Sequence, residues 1–595
     1  MRLRRHSIIL FAIIGLSLLL RGATYVAFLQ TALPWFPEEA AQTDMHATWQ
    51  WSGQILAGDL LGRETYHPEF QWMQNAGQRE EWAKRWGDIR IFQQEPLYTY
   101  FVAALRWLFP APLRTLPLIQ LVLGGALLPL GVYLLGRQLV GRGAGLYAAG
   151  VAAVFGPAIF YQCAVLRDWT IPIGSAFFLA FAIAAIRQFR LGWIFAAGVL
   201  LGIGVMMKAT ALLWLPVLLG WWWWAAKKHP VQARFGKGAA VLVLGLVVGL
   251  SPLLVRNGIV GAPLLALSNR GPEGLIQGNA ADANPVGLSS PASQDATLKG
   301  AGGSSLKVVG EILRGYWASP GDFSRVQGAK LRAAFAPVDI ADNFSYDYGL
   351  LRLPVLRFCP SWGLLLALGI PGVVFLLVKR RGRALWIGGI LAANAVAVLL
   401  PIALGRYRLE ALPLLAIGAG QMLRLGVIEL RRRRWTSLAL GAGGVVGLGL
   451  LCQWMWPPAW LPWDLRQSLQ IVERGASIYI YSEQHRYEEA ADEAAELSAR
   501  AALFPGGREE EVRARQSEIV SLVLGTLKAA EAGDRPQATS FFERARQRVQ
   551  NGVTAKLLTP RDVALVLAQN FPREMAEQLT GMLFSASPIE FAPAS

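Results

Sequence analysis

A succession of apolar segments, each close to 20 residues long, is the feature that most constrains how this 595-residue chain can fold. A helix needs about 20 apolar residues to cross the hydrocarbon core of a bilayer. Only 16% of the residues are charged and the mean hydropathy is +0.36, whereas soluble domains carry roughly 25% charged residues. The sequence therefore predicts an all-α polytopic membrane protein, most of which does not face water.

Apolar segments that could span a membrane recur along most of the chain. They cover residues 7–29, 96–110, 116–136, 145–163, 169–186, 191–207, 209–226, 237–255, 361–378, 384–404, 407–427 and 435–456. The segment 96–110 is short and ends in Pro110, Ala111 and Pro112, so we expect a partial or re-entrant helix there and eleven full spans elsewhere. If 96–110 spans fully, another segment must fail to cross for the basic loops to agree. The first segment has no obvious small-residue cleavage site, which favours a retained span over a signal peptide.

Short basic runs between the spans orient the chain, because lysine and arginine concentrate in cytoplasmic loops. They predict a multi-pass protein of the cell inner (plasma) membrane with a cytoplasmic N-terminus. The runs include Arg2, Arg4, Arg5, Arg137, Arg142, Arg187, Arg190, Lys227, Lys228, Lys379 to Arg383, and Arg431 to Arg434. They also account for the net charge of +17, so we expect no nucleic-acid partner.

This orientation predicts two domains. Residues 1–456 form a transmembrane domain, with a first outer loop at 31–95 and a large outer loop at 256–360. Residues 457–595 form a soluble helical domain on the extracytoplasmic side. Within it, small residues recur at helical spacing in HRYEEAADEAAELSARAAL and AAEAGDRPQATSFFERARQRV. This spacing is loosely tetratricopeptide-like, and either a protein-binding role or a helical appendage without one fits it.

Several cations fall on the outer side in this topology, against the positive-inside rule. They are Lys208, Arg256, Arg406 and Arg408, and Arg167 joins them beside Asp168. Charges at the membrane edge are costly and are usually paired or functional, although a single one can snorkel to lipid headgroups. Because these cations come from separate segments, we favour a shared anion site. Arginine offers phosphate a two-pronged donor and lysine a point charge, so the expected anion is a lipid-linked phosphate.

Carboxylates accompany these cations. Asp44 follows the first span, Glu95 precedes the segment 96–110, and Asp168 follows the segment 145–163. A carboxylate beside a phosphate site can take the proton of an attacking hydroxyl or amine. For Asp168, an ion pair with a neighbouring arginine explains the residue equally well.

A metal site is a further alternative in the first outer loop. His46 and His67 could join Asp44 or Glu95 around a divalent metal ion, but the two histidines have no fixed spacing. The three cysteines, Cys163, Cys359 and Cys452, have no metal-type spacing either and are too few for a disulfide framework. We therefore assign no metal site or cofactor, and a requirement for a divalent metal stays open.

Five segments in order resemble the GT-C membrane glycosyltransferases, in particular the bacterial relatives of the protein O-mannosyltransferases and the aminoarabinose transferase. The resemblance covers about residues 7–430. The segments are DMHATWQWSGQILAGDLLGRE, QEPLYTYFVAAL, LRDWTIPIGSAFFL, GIGVMMKATALLWLP and GRYRLEALPLLAI. The stretch RNGIVGAPLLALSNRGPEGLIQGNAADANP also resembles the outer loop of the family.

This resemblance implies a GT-C-type helix bundle that transfers a sugar from a polyprenyl-phosphate donor to a lipid, glycan or protein acceptor, with inversion at the anomeric carbon. Asp44 matches the aspartate in the family's first outer loop and would be the general base or an acceptor-orienting group. Glu95 and Asp168 would contact the acceptor or support the site. The family's phosphate-binding positions match Lys208, Arg256, Arg406 and Arg408. We add Arg167, beside Asp168, to the expected phosphate site on its charge and not on the resemblance. Many relatives carry Asp-Glu where this chain has Asp44 and Met45, so the resemblance implies one carboxylate at this position and not two.

Two other functions fit parts of the same pattern. A transporter or flippase of lipid-linked sugars would use the phosphate-binding cations without a catalytic base, but the sequence has no visible inverted repeat. A membrane anchor would recruit envelope proteins through residues 460–595, which leaves the outer cations unexplained. A glycosyltransferase accounts for the cations and the carboxylates together.

Overall fold

The computed structural model describes residues 2–41, 43–63, 84–226, 235–287, 290–342, 344–379, 381–456, 470–504 and 506–585. These residues are mostly helical, and their only β-type pairing is an isolated bridge between Val286 and Ala403. The expectation of an all-α polytopic membrane protein is confirmed. The chain divides into two compact units, Met1–Pro462 and Trp463–Ser595.

The first unit contains the apolar helices and the loops between them. Its α-helices are α1 (Arg2–Phe28), α2 (Phe36–Glu39), α3 (Asp44–Leu56), α4 (Leu97–Leu108), α5 (Pro112–Leu139), α6 (Arg142–Val154), α7 (Gly156–Tyr161), α8 (Thr170–Gln188), α9 (Leu191–Met207), α10 (Trp214–Ala226), α11 (Phe235–Val260), α12 (Arg270–Asn279), α13 (Gln294–Ala301), α14 (Ser305–Ala318), α15 (Pro320–Ala334), α16 (Tyr346–Arg352), α17 (Trp362–Lys379), α18 (Arg381–Leu399), α19 (Leu412–Arg431) and α20 (Trp435–Trp454). Short 3₁₀ helices precede α8, α10, α17 and α19 at Arg167–Trp169, Ala209–Leu213, Pro354–Phe358 and Gly405–Ala411.

Seven helical segments of the described chain are long and apolar enough to cross a membrane. They are His6–Phe28, Pro112–Leu139, Arg167–Gln188, Phe235–Val260, Pro354–Lys379, Gly405–Arg431 and Trp435–Trp454. Three shorter apolar helices accompany them, at Leu191–Met207, Ala209–Trp224 and Trp386–Leu399. Helix α4 has 12 residues, or about 18 Å at 1.5 Å per residue, which agrees with the expected partial helix.

The sequence predicts one span at 145–163, but the structure does not form a single continuous helix there. Gly156 and Pro157 interrupt the apolar run, so α6 has only 13 residues and α7 has 6. The fully buried Arg21 of α1 compensates for the break. Its guanidinium donates to the backbone oxygen of Ala153 near the end of α6 at 2.8 Å and to Oε1 of Gln162 at 2.7 Å. Backbone groups freed inside a membrane bundle require such partners.

Small residues set how closely the long helices pack. Gly198 and Gly202 of α9 face Gly245 and Gly249 of α11, and a Cβ added at Gly198 would lie 2.1 Å from the backbone oxygen of Leu242. Small residues four positions apart allow two helix backbones to approach closely inside a bilayer. Any larger side chain at Gly198 would therefore separate α9 from α11.

The large loop between α11 and α17 is attached to the end of α18 by two polar side chains. Asn279, the last residue of α12, donates to the backbone oxygen of Leu400 at 2.7 Å. Lys330 of α15 is fully buried and donates to the oxygen of Leu399 at 2.5 Å and to Oδ1 of Asn279 at 2.6 Å. These contacts satisfy carbonyls that a helix C-terminus leaves without partners.

Burial lowers the pKa of Lys330 from 10.5 to about 7. Between these values the unfolded chain binds a proton that the folded chain does not, so stability rises with pH across this window. We expect the apparent Tm of the detergent-solubilised protein to increase from about pH 7 to about pH 9.5, and Lys330→Met to remove most of that increase. An unchanged pH slope in the variant would contradict the assignment.

The second unit consists of paired helices. They are α21 (Ile471–Glu483), α22 (Tyr487–Ala501), α23 (Arg508–Glu531), α24 (Arg535–Thr554), α25 (Pro560–Ala568) and α26 (Arg573–Phe584). Consecutive helices from α21 to α24 pack on one another, and α22, α23 and α24 contribute to a core that includes Leu522 and Phe542. Gly533 has a positive φ of 77° and Asp534 accepts a hydrogen bond from the backbone of Gln537, which makes the Gly-Asp turn between α23 and α24.

Candidate active site

Arg406 is the centre of a buried cluster of charges. It lies in the 3₁₀ helix before α19 and is 5% exposed. Its Nη2 atom is 2.5 Å from Oδ2 of Asp44 and 2.6 Å from Oδ2 of Asp342, and its Nη1 atom is 3.5 Å from Oδ2 of Asp168. One guanidinium therefore joins the start of α3, the large loop and the 3₁₀ helix before α8.

Lys208 forms the second part of the cluster. Its Nζ atom is 2.7 Å from Oε1 of Glu410 and 3.4 Å from Oδ1 of Asp168, and it lies 4.3 Å from the centre of the Tyr407 ring. The lysine sits where α9 ends, because its extended backbone separates α9 from the following 3₁₀ helix. Asp168 consequently bridges Lys208 and Arg406.

Glu95 and Arg167 form an adjacent pair. The Arg167 guanidinium donates to Oε2 of Glu95, and Oε1 of Glu95 accepts the backbone N–H of Ala209 at 3.0 Å. Glu95 thus ties the segment before α4 to the residue that follows Lys208. This arrangement fits the expected supporting role of Glu95 more directly than contact with an acceptor.

Arg270, the first residue of α12, lines the same small polar cavity as Asp44, Glu95, Arg167, Asp168 and Arg406. Burial alone would raise the pKa of Asp44, but Arg406 and Arg270 outweigh it and hold that pKa below its ordinary range. Burial likewise opposes the charge of Arg270, whose pKa is nevertheless raised by Asp44 and Glu273. Asp44 is therefore an ionised carboxylate throughout the neutral range.

The buried side chain of Gln120 holds Tyr98 and Trp169 next to these groups. Oε1 of Gln120 in α5 accepts the hydroxyl of Tyr98 at 2.5 Å and the indole N–H of Trp169 at 2.9 Å. Its Nε2 atom donates to the backbone oxygens of Gln162 and Ala164 at 3.1 and 3.0 Å. All four hydrogen bonds lie in the interior, where an unsatisfied amide is costly, so Gln120 holds Trp169 beside Asp168.

The remaining two predicted phosphate ligands have other partners. Arg256 donates to the backbone oxygens of Leu61, Gly62 and Arg90 and lies over the Phe92 ring. Arg408 donates to the backbone oxygens of Ala336 and Val338 at 2.6 and 2.5 Å. These arginines hold loops in position and do not line the polar cavity, so we leave them out of the proposed phosphate site.

An apolar groove of about 330 Å³ runs beside the charged cluster between α5, α8 and α9. Its walls include Leu123, Gly174, Phe178 and Gly204, and its charged lining residues are Lys208 and Glu410. A second apolar cavity, of about 610 Å³, lies between α1, α6, α17 and α19, and its described lining carries no charged side chain. Of these two cavities in the described part of the chain, the first groove brings an apolar surface to the charges of the site.

The described residues contain no group of three or more His, Cys, Asp or Glu side chains that could hold a metal ion. His46 is described and lies in the first turn of α3, whereas His67 lies outside the described residues. The expected pairing of these two histidines therefore stays untested.

Sequence reasoning missed three members of the cluster. Asp342 and Arg270 lie in the large loop, where a charged residue carries no topological signal, although Arg270 stands within the stretch that resembles the outer loop of the family. Glu410 lies inside the segment GRYRLEALPLLAI. The positive-inside rule draws attention only to the two arginines of that segment, so it does not predict a role for Glu410. The acidic partner of a buried lysine was the signal that could have identified it.

No protein-family model matches the chain, and no curated protein matches it significantly. Among solved structures, it is similar to the oligosaccharyltransferase of Archaeoglobus fulgidus in its apo form, with 15% identity, a TM-score of 0.42 and coverage of 79% of this chain and 56% of that one. The archaeal enzyme in complex with an inhibitory peptide and a dolichol-phosphate gives 14% identity, a TM-score of 0.35 and coverage of 70% and 50%. The chain spans about half the length of these structures, and a likeness with TM-scores below 0.5 does not by itself assign an activity.

Proposed function

We propose that the protein is a GT-C-type glycosyltransferase that moves a sugar from a polyprenyl-phosphate donor to an acceptor. The site would face the extracytoplasmic side of a cell inner membrane, with the N-terminus in the cytoplasm. One observation carries the proposal: the apolar groove ends at Lys208, which belongs to the charged cluster around Arg406. A long apolar chain with an anionic head group has the chemistry to occupy both.

The donor would lie with its polyprenyl chain in the groove and its phosphate between Lys208 and Arg406. Both cations are already paired with carboxylates, so the phosphate must compete for them. If it takes the Nη2 donor of Arg406, the Asp44 carboxylate is released from its strongest partner. The pKa of Asp44 then moves back towards its ordinary value, which makes it a better proton acceptor.

The proposed reaction is one displacement at the anomeric carbon. The bond from that carbon to the phosphate oxygen breaks, a bond to the acceptor oxygen or nitrogen forms, and the acceptor proton goes to Asp44. Polyprenyl phosphate leaves, and the charge that develops on it is stabilised by Lys208 and Arg406, which are already in place. Asp168 contacts both cations and so keeps them close together. The positive charge of Arg270 offsets part of the negative charge of Asp44 and Glu273.

The negative charges in this cluster outnumber the positive ones. Asp44, Glu95, Asp168, Asp342 and Glu410 face Arg167, Lys208, Arg270 and Arg406. A donor phosphate adds further negative charge, so either a carboxylate gains a proton or a cation enters with the donor. Comparing donor binding with and without a divalent metal ion separates these two routes.

Filling the groove tests the proposal. A Cβ added at Gly174 meets no atom within 4 Å, so Gly174→Leu should fold and occupy the groove. We expect the KM for a long-chain donor to rise by about tenfold or more, because the lost apolar burial is worth about 1.5–3 kcal/mol. A donor with a short lipid chain should be affected much less.

Gly150→Leu is the matched control. Gly150 also has open space around its Cβ, but it lines the second apolar cavity. We expect its donor kinetics to resemble those of the native protein. Equal effects of the two substitutions, or an effect of Gly174→Leu that ignores donor chain length, would contradict donor binding in the first groove.

The helical unit 463–595 is proposed to bind a protein partner through tetratricopeptide-like helix pairs. Its consecutive packed helices and the Gly533-Asp534 turn support this arrangement. The acceptor, and whether the sugar is a hexose or a pentose, would be identified by assays with defined polyprenyl-phosphate sugars.

A further inference from the structure

Helix α14 in the large loop presents a continuous apolar stripe to the outside of the protein. Leu306, Val309, Leu313 and Trp317 are 85%, 38%, 61% and 89% exposed. At 100° per residue these four side chains fall within about 80° of one another around the helix axis. Large apolar side chains so aligned and so exposed indicate an interaction surface.

The apolar arc of α14 continues beyond Val309, and this further part packs into the loop itself. Val308 and Tyr316 are buried, and Val308 belongs to a core with Ile276 and Leu298. The exposed stripe is therefore additional to what the loop needs for its own packing. Helix α14 also begins with a regular N-cap, in which Ser304 accepts the backbone N–H of Lys307, so the stripe belongs to a well-formed helix.

The position of α14 indicates what covers the stripe. Helix α14 packs against α12 and α15. Both of these helices bond to the last carbonyls of α18 through Asn279 and Lys330. Helix α18 contains the apolar segment Trp386–Leu399, so its C-terminal end marks the edge of the bilayer. Helix α14 lies next to helices that are fixed at that edge.

We propose that α14 lies in the membrane–water interface and inserts Leu306, Val309, Leu313 and Trp317 among lipid acyl chains. Tryptophan prefers this region, and an apolar stripe bordered by cations is typical of interfacial helices. Lys307 and Arg314 are exposed and project from positions about 100° and 80° around the axis from Leu306, on one side of the stripe. Lys307 can contact lipid phosphates there, and Arg314 can do so while it is also paired with Glu311 at 2.6 Å. The occupant of the surface is therefore the phospholipid leaflet at the end of α18.

This anchoring has a consequence for the charged cluster. Helix α12, which packs on α14, begins with Arg270, and Arg270 lines the polar cavity with Asp44. Lipid bound to α14 would thus hold the loop that brings Arg270 to the site. The proposal concerns the placement of the loop and stands whether or not the cluster transfers sugars.

Spin labels on the full chain in phospholipid vesicles test the proposal. Single cysteines replace Leu313, Trp317 and Glu311 in turn, in a background in which Cys163, Cys359 and Cys452 are alanine and the native Tm is checked. We expect labels at 313 and 317 to collide more with dissolved oxygen than with a water-soluble nickel chelate, because oxygen concentrates in the hydrocarbon. The label at 311, on the polar side of the same helix, should give the reverse order and serves as the matched control.

Two results would overturn the inference. Nickel access at 313 and 317 equal to that at 311 would show that the stripe faces water. Protection of 313 and 317 from both reagents would show that protein, either the second unit or a partner chain, covers the stripe instead of lipid.

Discussion

Asp44→Asn is expected to lower turnover by about 10²–10⁴-fold, the usual contribution of a general acid or base. The amide keeps the shape of the carboxylate but cannot accept the acceptor proton. The fold should persist, because Arg406 retains Asp168 and Asp342 as partners. The measurement is the rate of sugar transfer in reconstituted membranes with a defined polyprenyl-phosphate donor, beside the Tm of the purified variant.

Asp88→Asn is the matched control for Asp44. Asp88 also lies in the first hydrophilic loop and also pairs with an arginine, since its Oδ2 atom is 2.6 Å from Nη2 of Arg90. It does not line the polar cavity, so its loss should leave turnover near the native rate. Near-native turnover of Asp44→Asn would exclude Asp44 as the base.

Arg406→Lys is expected to reduce both donor binding and turnover, together by about 10²–10³-fold in kcat/KM. Lysine keeps the charge but loses the planar fork that contacts three carboxylates and would contact the phosphate. Breaking a buried ion pair costs about 3–5 kcal/mol when a charge is left without its partner. We therefore also expect a lower Tm, and kinetics are to be measured on the folded fraction.

Arg408→Lys separates a general loss of stability from a loss of donor binding. Arg408 lies two residues further along the same 3₁₀ helix, but it donates to backbone oxygens of Ala336 and Val338. This variant should lower the Tm while the folded protein keeps the native KM for the donor. Equal changes in donor KM for Arg406→Lys and Arg408→Lys would contradict a specific phosphate contact at Arg406.

Hydropathy and charge predicted the helical membrane architecture because burial in lipid imposes a length and an apolar composition that are visible locally. The hydropathy of the segment 145–163 gave no sign of the helix break at Gly156 and Pro157. The break is supported by Arg21, more than 130 residues away in the sequence, and sequence reading cannot weigh that contact. The end of α4 at Leu108 was predictable because Pro110 and Pro112 give a local signal for where a helix must end, whereas the re-entrant placement of 96–110 stays a prediction.

The candidate site was predictable where charge conflicted with topology. That conflict identified Lys208 and Arg406, and these cations contact the predicted carboxylates Asp168 and Asp44. It could not distinguish Arg406 from Arg408 and Arg256, because a cation that ties down backbone carbonyls and one that faces a cavity have the same sequence signature. Arg270 and Asp342 could be recognised as members of the cluster only from the folded structure of the large loop.

The central proposal is that the phosphate of the lipid donor binds between Lys208 and Arg406 and releases Asp44. The most direct measurement is an experimental structure of the full chain with a non-transferable polyprenyl-phosphate sugar analogue. We expect phosphate oxygens within hydrogen-bond distance of Lys208 Nζ and the Arg406 guanidinium, with the Asp44 carboxylate turned towards the anomeric carbon. A phosphate bound away from both cations, with Asp44 still paired to Arg406, would contradict it.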